Sequence, residues 1–273
     1  MLAVASVISH AQRVRRTIGR GRRAVGRWRF ERRLKPAGDF ALNRQVHAAA
    51  VQLAGRTVEL YFRKDTIDED LLNMIVTENS EYRLPDVVKP KVVFDVGANI
   101  GMASVYFAMS YPQAEVYCFE PLPANLELLR ANVRPFGRRV HVLPYGLSDR
   151  SGTLPYQMSD DAANFGGGGF VNGQQATAAA LRLIVKTPTQ AVDELQPGPI
   201  DVFKIDTEGS EWPIVRSLPT NVRRAAAAFV GELHGENDWQ LCQLLDPSHA
   251  IGIEKPYQKR CCLFRAIRRD LVN

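Results

Sequence analysis

The chain has 273 residues, 45% of them hydrophobic and 23% charged, with a formal net charge of +6. That length carries one large domain plus an appendage, and the composition excludes a disordered or fibrous chain. The charge is uneven: residues 1–36 hold eleven basic residues against the single acid Glu31, a net of +10, which leaves the remainder at −4 and argues against a nucleic-acid-binding body.

At the N-terminus, Val4, Val7, Ala11, Val14, Ile18, Val25 and Trp28 recur at helical spacing, flanked by Arg13, Arg16, Arg20, Arg23 and Arg27. Gly19, Gly21 and Gly26 weaken such a helix by about 1 kcal/mol each. This basic amphipathic arm, residues 1–36, reads as a variably docked tail, as a peripheral contact with an anionic membrane, or as a nucleic-acid or targeting segment. A secretory signal does not fit, because the short apolar stretch precedes the arginines. No apolar run reaches about 18 residues, so no transmembrane helix is predicted. The expectation is a cytoplasmic protein, peripheral at the inner face of the membrane if the arm engages lipid. Cys118, Cys242, Cys261 and Cys262 lack metal-type spacing and read as reduced thiols.

Residues 37–88 form a small subdomain in this reading, with a strand over 56–63 and a helix over 67–78 opened by Asp65 or Thr66. The main domain, 89–273, then follows a βα rhythm. Strand 91–96 leads to helix 101–110, strand 115–119 to helix 123–133, and strand 139–143 to a loop. The stretch NFGGGGFVNG, 164–173, interrupts the rhythm and is predicted to form no regular element. Strand 182–187 and a short helix follow, then strand 201–205 with a helix near 211–218, and strand 226–232 with helix 236–245. Two closing strands, 249–254 and 260–266, have no helix between them. Alternating units predict an α/β fold with a mostly parallel sheet and helices on both faces, and the final hairpin adds one antiparallel strand.

In such a sheet, ligands bind at the carboxyl ends of the strands. The first strand ends in VVFDVGANIG, where Asp95, Gly97, Asn99 and Gly101 form a turn onto a helix N-terminus. This D-x-G-x-N-x-G spacing is not that of dinucleotide binders. Glu120, closing the second strand, suits the two hydroxyls of a ribose. Asp95 is read as the partner of an ammonium group. Tyr145–Asp149 follows the third strand as an adenine wall, with Ser148 and Asp149 as cofactor contacts. Asp206-Thr207-Glu208-Gly209-Ser210-Glu211 follows the fourth main strand, and Glu232 and His234 end the fifth. Together these point to a nucleoside cofactor, with S-adenosylmethionine favoured. Each has a structural alternative: Glu211 or Asp206 can cap a helix, Lys204 can be a strand-edge or ion-paired lysine, and a single histidine is often structural.

The blocks FDVGANIGMASVYFA, CFEPLPANLELLRANV, GLSDRSG and VFKIDTEGSEWPIVRSL, in that order across 90–235, resemble the FkbM-type S-adenosylmethionine-dependent methyltransferases. The resemblance implies a Rossmann-like class I methyltransferase fold and transfer to oxygen, often a hydroxyl of a sugar, glycolipid or secondary metabolite. It implies that Asp95, Gly97, Asn99, Gly101 and Glu120 carry the cofactor, and that Asp206, Glu208, Glu211, Glu232 and His234 face the acceptor. A hydroxyl needs a base as it is methylated, and His234 suits that task near neutral pH, with Asp206 as competitor. The same carboxylates and histidine could hold a divalent cation, a reading ranked below a metal-free site. The alternatives from other classes are a nucleic-acid methyltransferase anchored by the arginine arm and a non-catalytic, membrane-associated cofactor-binding protein.

Overall fold

The structure is a computed structural model that describes residues 29–272 apart from 54, 77–80, 162, 165, 172–175 and 256–260. The helical arm expected over residues 1–28 lies outside the described residues. Its last part is not helical: β1 (Arg29–Gly38) is a strand that pairs antiparallel with β2 (Val46–Leu53), which pairs in turn with β3 (Arg56–Arg63). β2 escapes a search for alternation because VHAAAVQL is apolar nearly throughout; Val46, Ala48, Ala49 and Val51 are all buried. Helix α1 (Ile67–Val76) follows, with Thr66 Oγ1 accepting from the amide of Asp68 at 3.2 Å and three acids in its first turn, where they suit the helix dipole. Asp68 also receives Arg63 Nε at 2.6 Å in a buried pair that ties α1 to β3.

The central sheet begins with β4 (Val92–Val96), α2 (Met102–Ser110), β5 (Glu115–Phe119), α3 (Pro123–Val133) and β6 (Val140–Leu143). β4 is buried along its whole length, as a strand covered on both faces must be. α2 is apolar and buried from Met102 to Met109 because β2, β3 and α1 cover the side that the sheet does not; Leu60, Phe62 and Leu72 share one core with Val105, Phe107 and Val116.

An inserted four-stranded sheet follows, made of β7 (Gly146–Leu147), β8 (Gly152–Gln157), β9 (Gly169–Phe170) and β10 (Leu181–Lys186), in the order β7-β10-β8-β9. The glycine-rich stretch is therefore not wholly irregular, since Gly169 and Phe170 pair with Gln157 and Tyr156. The chain returns through α4 (Pro188–Leu195), opened by a capping box of Thr187 and Gln190, to β11 (Val202–Ile205), α5 (Glu211–Ser217), α6 (Thr220–Ala225), β12 (Ala228–Leu233), α7 (Asp238–Leu245), β13 (His249–Glu254) and β14 (Cys262–Arg268).

The main sheet has seven strands in the order β13-β14-β12-β11-β4-β5-β6. Every pairing from β12 to β6 is parallel, and β14 runs antiparallel to both neighbours, as the closing hairpin predicts. This is the class I methyltransferase arrangement. Connections diverge on either side of β4, so the crevice for a ligand opens at the carboxyl ends of β4 and β11. Among the described residues no helix is long and apolar enough to cross a membrane.

Candidate functional site

A cavity of about 850 Å³ opens at that crevice, within the size range of small-molecule sites. One half is built by the turn after β4. Gly97 has φ +78°, and a Cβ there would lie 1.9 Å from the carbonyl oxygen of Asp206. The position thus needs glycine for its conformation and for the close approach of β11. Gly101 has φ +90°, and a Cβ would meet Leu129 Cδ1 at 2.5 Å, so this glycine lets α2 seat against α3. Asn99, at φ +51°, adopts the left-handed conformation that asparagine tolerates.

Glu120 lies at the cavity wall. Its Oε2 accepts from the amide of Asn99 at 2.8 Å, and its Oε1 from the amide of Leu122 at 2.9 Å and from Asn125 Nδ2 at 3.4 Å. Burial raises its pKa, against the pull of these donors. A carboxylate has about four acceptor positions, so one remains for a ligand hydroxyl. Asn99 Oδ1 is buried at the same wall with no partner among the described residues. An orphaned acceptor beside a buried carboxylate, above a glycine turn, fits the hydroxyl and amine groups of a nucleoside-amino acid cofactor.

Three sequence-predicted cofactor contacts are placed elsewhere. Asp95 is completely buried beneath the turn, where Oδ2 accepts from Ser104 Oγ at 2.5 Å and Oδ1 faces Lys204 Nζ at 3.1 Å. Its charge is taken by lysine rather than offered to the cavity. Ser148 and Asp149 do not line the cavity. The Ser148 amide donates to the carbonyl of Lys186, and Asp149 accepts from Arg216 Nη2 at 2.6 Å on the outer surface. Gly146 and Leu147, just before them, form the wall instead.

The other half gathers around His234. Its Nδ1 lies 3.3 Å from Glu211 Oε1, and its Nε2 lies 3.2 Å from Glu232 Oε2 and 3.8 Å from Glu208 Oε2. Burial alone would lower the histidine pKa, but the hydrogen bonds to Glu211 and Glu232 and the charges of Asp206 and Glu208 outweigh it and raise the value to about 11. This environment favours the imidazolium, which counts against the expectation that His234 acts as the base, since a base needs a free lone pair. Glu211 is also relocated. It is buried, accepts from the amides of Thr207 at 2.9 Å and Gly209 at 3.0 Å, and does not line the cavity. It holds the turn after β11 and orients the imidazole. Burial pushes its pKa up, but the His234 hydrogen bond and the turn amides hold it below the ordinary value.

Glu208, Asp206 and Glu232 do face the cavity. Glu208 sits at φ +53° on the turn that Glu211 braces. Burial, resisted by the His234 charge and assisted by Asp206 and Glu232, raises its pKa to about 7. For Asp206, burial raises the pKa while Lys204, 4.0 Å away, pulls it down, with a net rise. Donor atoms of Asp206, Glu208 and His234, and separately of Glu232, His234 and Cys261, lie within 4.8 Å of one another, close enough to share a divalent cation.

Several residues of the site take roles that the sequence did not assign to them. Tyr82 reaches across from the N-terminal segment, its hydroxyl donating to Asp206 Oδ2 at 3.1 Å. Lys204, expected as a strand-edge or ion-paired lysine, is the ion-paired one: it is 3% exposed, faces Asp95 and donates to the carbonyl of Gly97 at 2.6 Å. From the inserted sheet, Tyr156 donates to the carbonyl of Gly168 at 2.8 Å, and Phe170 packs on it edge-on at 5.3 Å. A Cβ at Gly146 would strike Phe170 at 2.9 Å, so the glycine-rich stretch lies against the cofactor half as a wall. The run of four glycines marked a special backbone there, but not which side it would face.

Comparison with known proteins identifies the family. The model of the methyltransferase FkbM domain matches residues 95–251. The hexuronic acid methyltransferase AglP of Haloferax volcanii is 25% identical over 71% of this chain and 74% of its own length. The 31-O-demethyl-FK506 methyltransferase FkbM of Streptomyces tacrolimicus is 33% identical over 35% of each chain. The AMB antimetabolite synthetase AmbE of Pseudomonas aeruginosa is 29% identical over 54% of this chain, which spans only 8% of that protein. The match covers both halves of the cavity, from Asp95 through His234, and the chain belongs to the FkbM family of S-adenosylmethionine-dependent methyltransferases.

Proposed function

We propose that this protein methylates a hydroxyl oxygen of a sugar, glycolipid or secondary metabolite, with Glu208 as the group that takes the hydroxyl proton. S-adenosylmethionine supplies a methyl on a sulfonium, so that transfer breaks a C–S bond, forms a C–O bond and leaves a neutral thioether. Glu120, Asn99 and the backbone at Gly97 would hold that cofactor. The chain's own task is to fix the hydroxyl and accept its proton, and alignment is the largest part of it.

The observation that carries the assignment is the environment of Glu208. It lines the cavity, its pKa is raised to about 7, and an imidazolium 3.8 Å away stabilises its ionised form. A base works best with a pKa near the working pH, and His234, protonated up to about 11, does not meet that condition. Asp206, held by Tyr82 and Lys204, and Glu232, held by His234, are placed to accept hydrogen bonds from neighbouring hydroxyls.

Segment 89–273 carries the cofactor wall, and segment 37–88 lends Ile67, Asp70 and Tyr82 to the acceptor wall. A cavity enclosed on several sides suits a small molecule or the end of a glycan better than a duplex. The deciding experiment is Glu208→Gln, assayed in single turnover with cofactor affinity measured separately by calorimetry. The expected result is unchanged cofactor binding and a loss of about 10²-fold or more in turnover. Full turnover in this variant would remove Glu208 from the role.

A further inference from the structure

The turn that carries Glu208 has two supports. One is Glu211, which accepts from the amides of Thr207 at 2.9 Å and Gly209 at 3.0 Å. The other comes from the inserted sheet. A Cβ at Gly169 would stand 2.9 Å from the carbonyl oxygen of Glu208 and 3.8 Å from its Cβ. Gly169 lies in β9 and is not among the described residues with positive φ. The contact with Glu208, not its own conformation, is therefore what calls for glycine there. A side chain pins this stretch in turn. Tyr156 on β8 lines the cavity, is 7% exposed, and donates from its hydroxyl to the carbonyl of Gly168 at 2.8 Å. Tyr156 pairs with Phe170 and Gln157 with Gly169, so β8 sets the register of β9 along the Glu208 turn. Burial raises the pKa of the Tyr156 hydroxyl, and the charges of Glu120 and Glu208 add to the rise, so it stays a donor in the field of both halves of the site.

We propose that Tyr156 is a positioning residue for Glu208, holding the turn of the base in place through Gly168 and Gly169. This rests on the assignment of Glu208 above and extends its support to the inserted sheet. Gly168 is buried. Without the tyrosine hydroxyl its carbonyl loses a donor, and a buried carbonyl left unsatisfied is costly enough to make the stretch shift toward water. β9 then no longer presses on the Glu208 carbonyl, and the turn opens. Water that reaches the Glu208 carboxyl favours its ionised form, so its proton affinity falls. The charged groups that act on Glu208 are His234, Asp206, Glu232 and Glu211, carried on or just after β11 and β12 or on α5. A change confined to β8 or β9 leaves all of them in the chain, so the proton affinity of Glu208 reports its enclosure.

The test titrates the full-length protein by NMR with isotope-labelled glutamate carboxyls, and so needs no acceptor. The Glu208 resonance is the one lost in Glu208→Gln, and in the parent it is expected to titrate at about 7. In Tyr156→Phe it is expected to move down by about half a pH unit or more, about a threefold loss of proton affinity. Gly169→Ala displaces the turn directly and is expected to move the resonance as well. Leu183→Val loosens the small core that Leu183 shares with Tyr156 and Leu122 but keeps the hydroxyl, and should leave the titration in place. Should Gly169→Ala fail to fold, Tyr156→Phe carries the test alone. An unmoved resonance in either folded variant overturns the inference. An equal shift in Leu183→Val also overturns it, because general loosening of the inserted sheet would then account for the effect. A parent resonance in the ordinary carboxylate range would instead remove the Glu208 assignment beneath, and this inference with it.

Discussion

Lys204 Nζ donates to the carbonyl of Gly97 at 2.6 Å while lying 3.1 Å from Asp95, so one buried ammonium joins the cofactor turn after β4 to the strand that ends in Asp206. Lys204 is 3% exposed and Asp95 completely buried, and the lysine pKa is raised because its acidic neighbours outweigh burial. Removing one partner of such a pair leaves a buried charge alone, which costs about 3–5 kcal/mol. Lys204→Met is therefore expected to lower stability in urea by that amount and to weaken cofactor binding. Adding Asp95→Asn to it should restore part of the stability, since the orphaned charge is then gone. A double variant less stable than Lys204→Met would show that the pair is not what holds the turn.

The rate of methyl transfer should rise with pH through a group near 7 and level off above it, because Glu208 must be ionised to take a proton and its pKa is raised to about 7. Glu208→Gln removes that limb. His234→Gln separates the two candidate bases. The His234 charge lowers the Glu208 pKa, so its loss should move the limb to higher pH while leaving it visible. A limb abolished by His234→Gln and kept in Glu208→Gln would return the role of base to the histidine.

The contrast between these two residues shows how far the sequence reaches. The strand ends that carry Asp95, Glu120, Asp206 and His234 follow from the βα rhythm, because apolar runs and glycine turns are local signals. What each side chain does there depends on neighbours brought from other strands. His234 reads as a free base until Glu211, Glu232 and Glu208 are seen around it. Asp95 reads as a ligand group until Lys204, more than a hundred positions away, is found on it. Tyr82 and the wall made by Phe170 lie in segments without periodicity, so their approach to the site is a tertiary fact alone.

Gly97→Ala should abolish cofactor binding and destabilise the fold. The new Cβ would lie 1.9 Å from the Asp206 carbonyl oxygen in a backbone at φ +78°, and both residues directly follow paired central strands that limit how far either can yield. Gly146→Ala is expected to be milder, since its Cβ meets the edge of the Phe170 ring at 2.9 Å and that side chain can move. Calorimetry with S-adenosylmethionine, alongside thermal melts, would distinguish the two. A Gly97→Ala variant with native affinity would contradict the close approach of β4 and β11.

The same environment that tunes Glu208 is a stability cost above neutral pH. Its folded pKa, about 7, lies above the ordinary 4.5, so the folded state holds this proton more tightly than the unfolded chain. The resulting stabilisation is fully present below about pH 4.5 and is lost as pH rises through about 7, the reverse of a salt-bridged carboxylate. The side chain is 37% exposed, so solvent screening reduces the effect. Glutamine has the shape without the charge. Glu208→Gln should therefore melt about 2–4 °C higher than the parent at pH 8, corresponding to about 1 kcal/mol in a chain of this size, with little difference at pH 5. An inactive variant that gains stability only above pH 7 would link the strain of the site to its chemistry, whereas equal melting at both pH values would show that the carboxylate is not held out of its ordinary range.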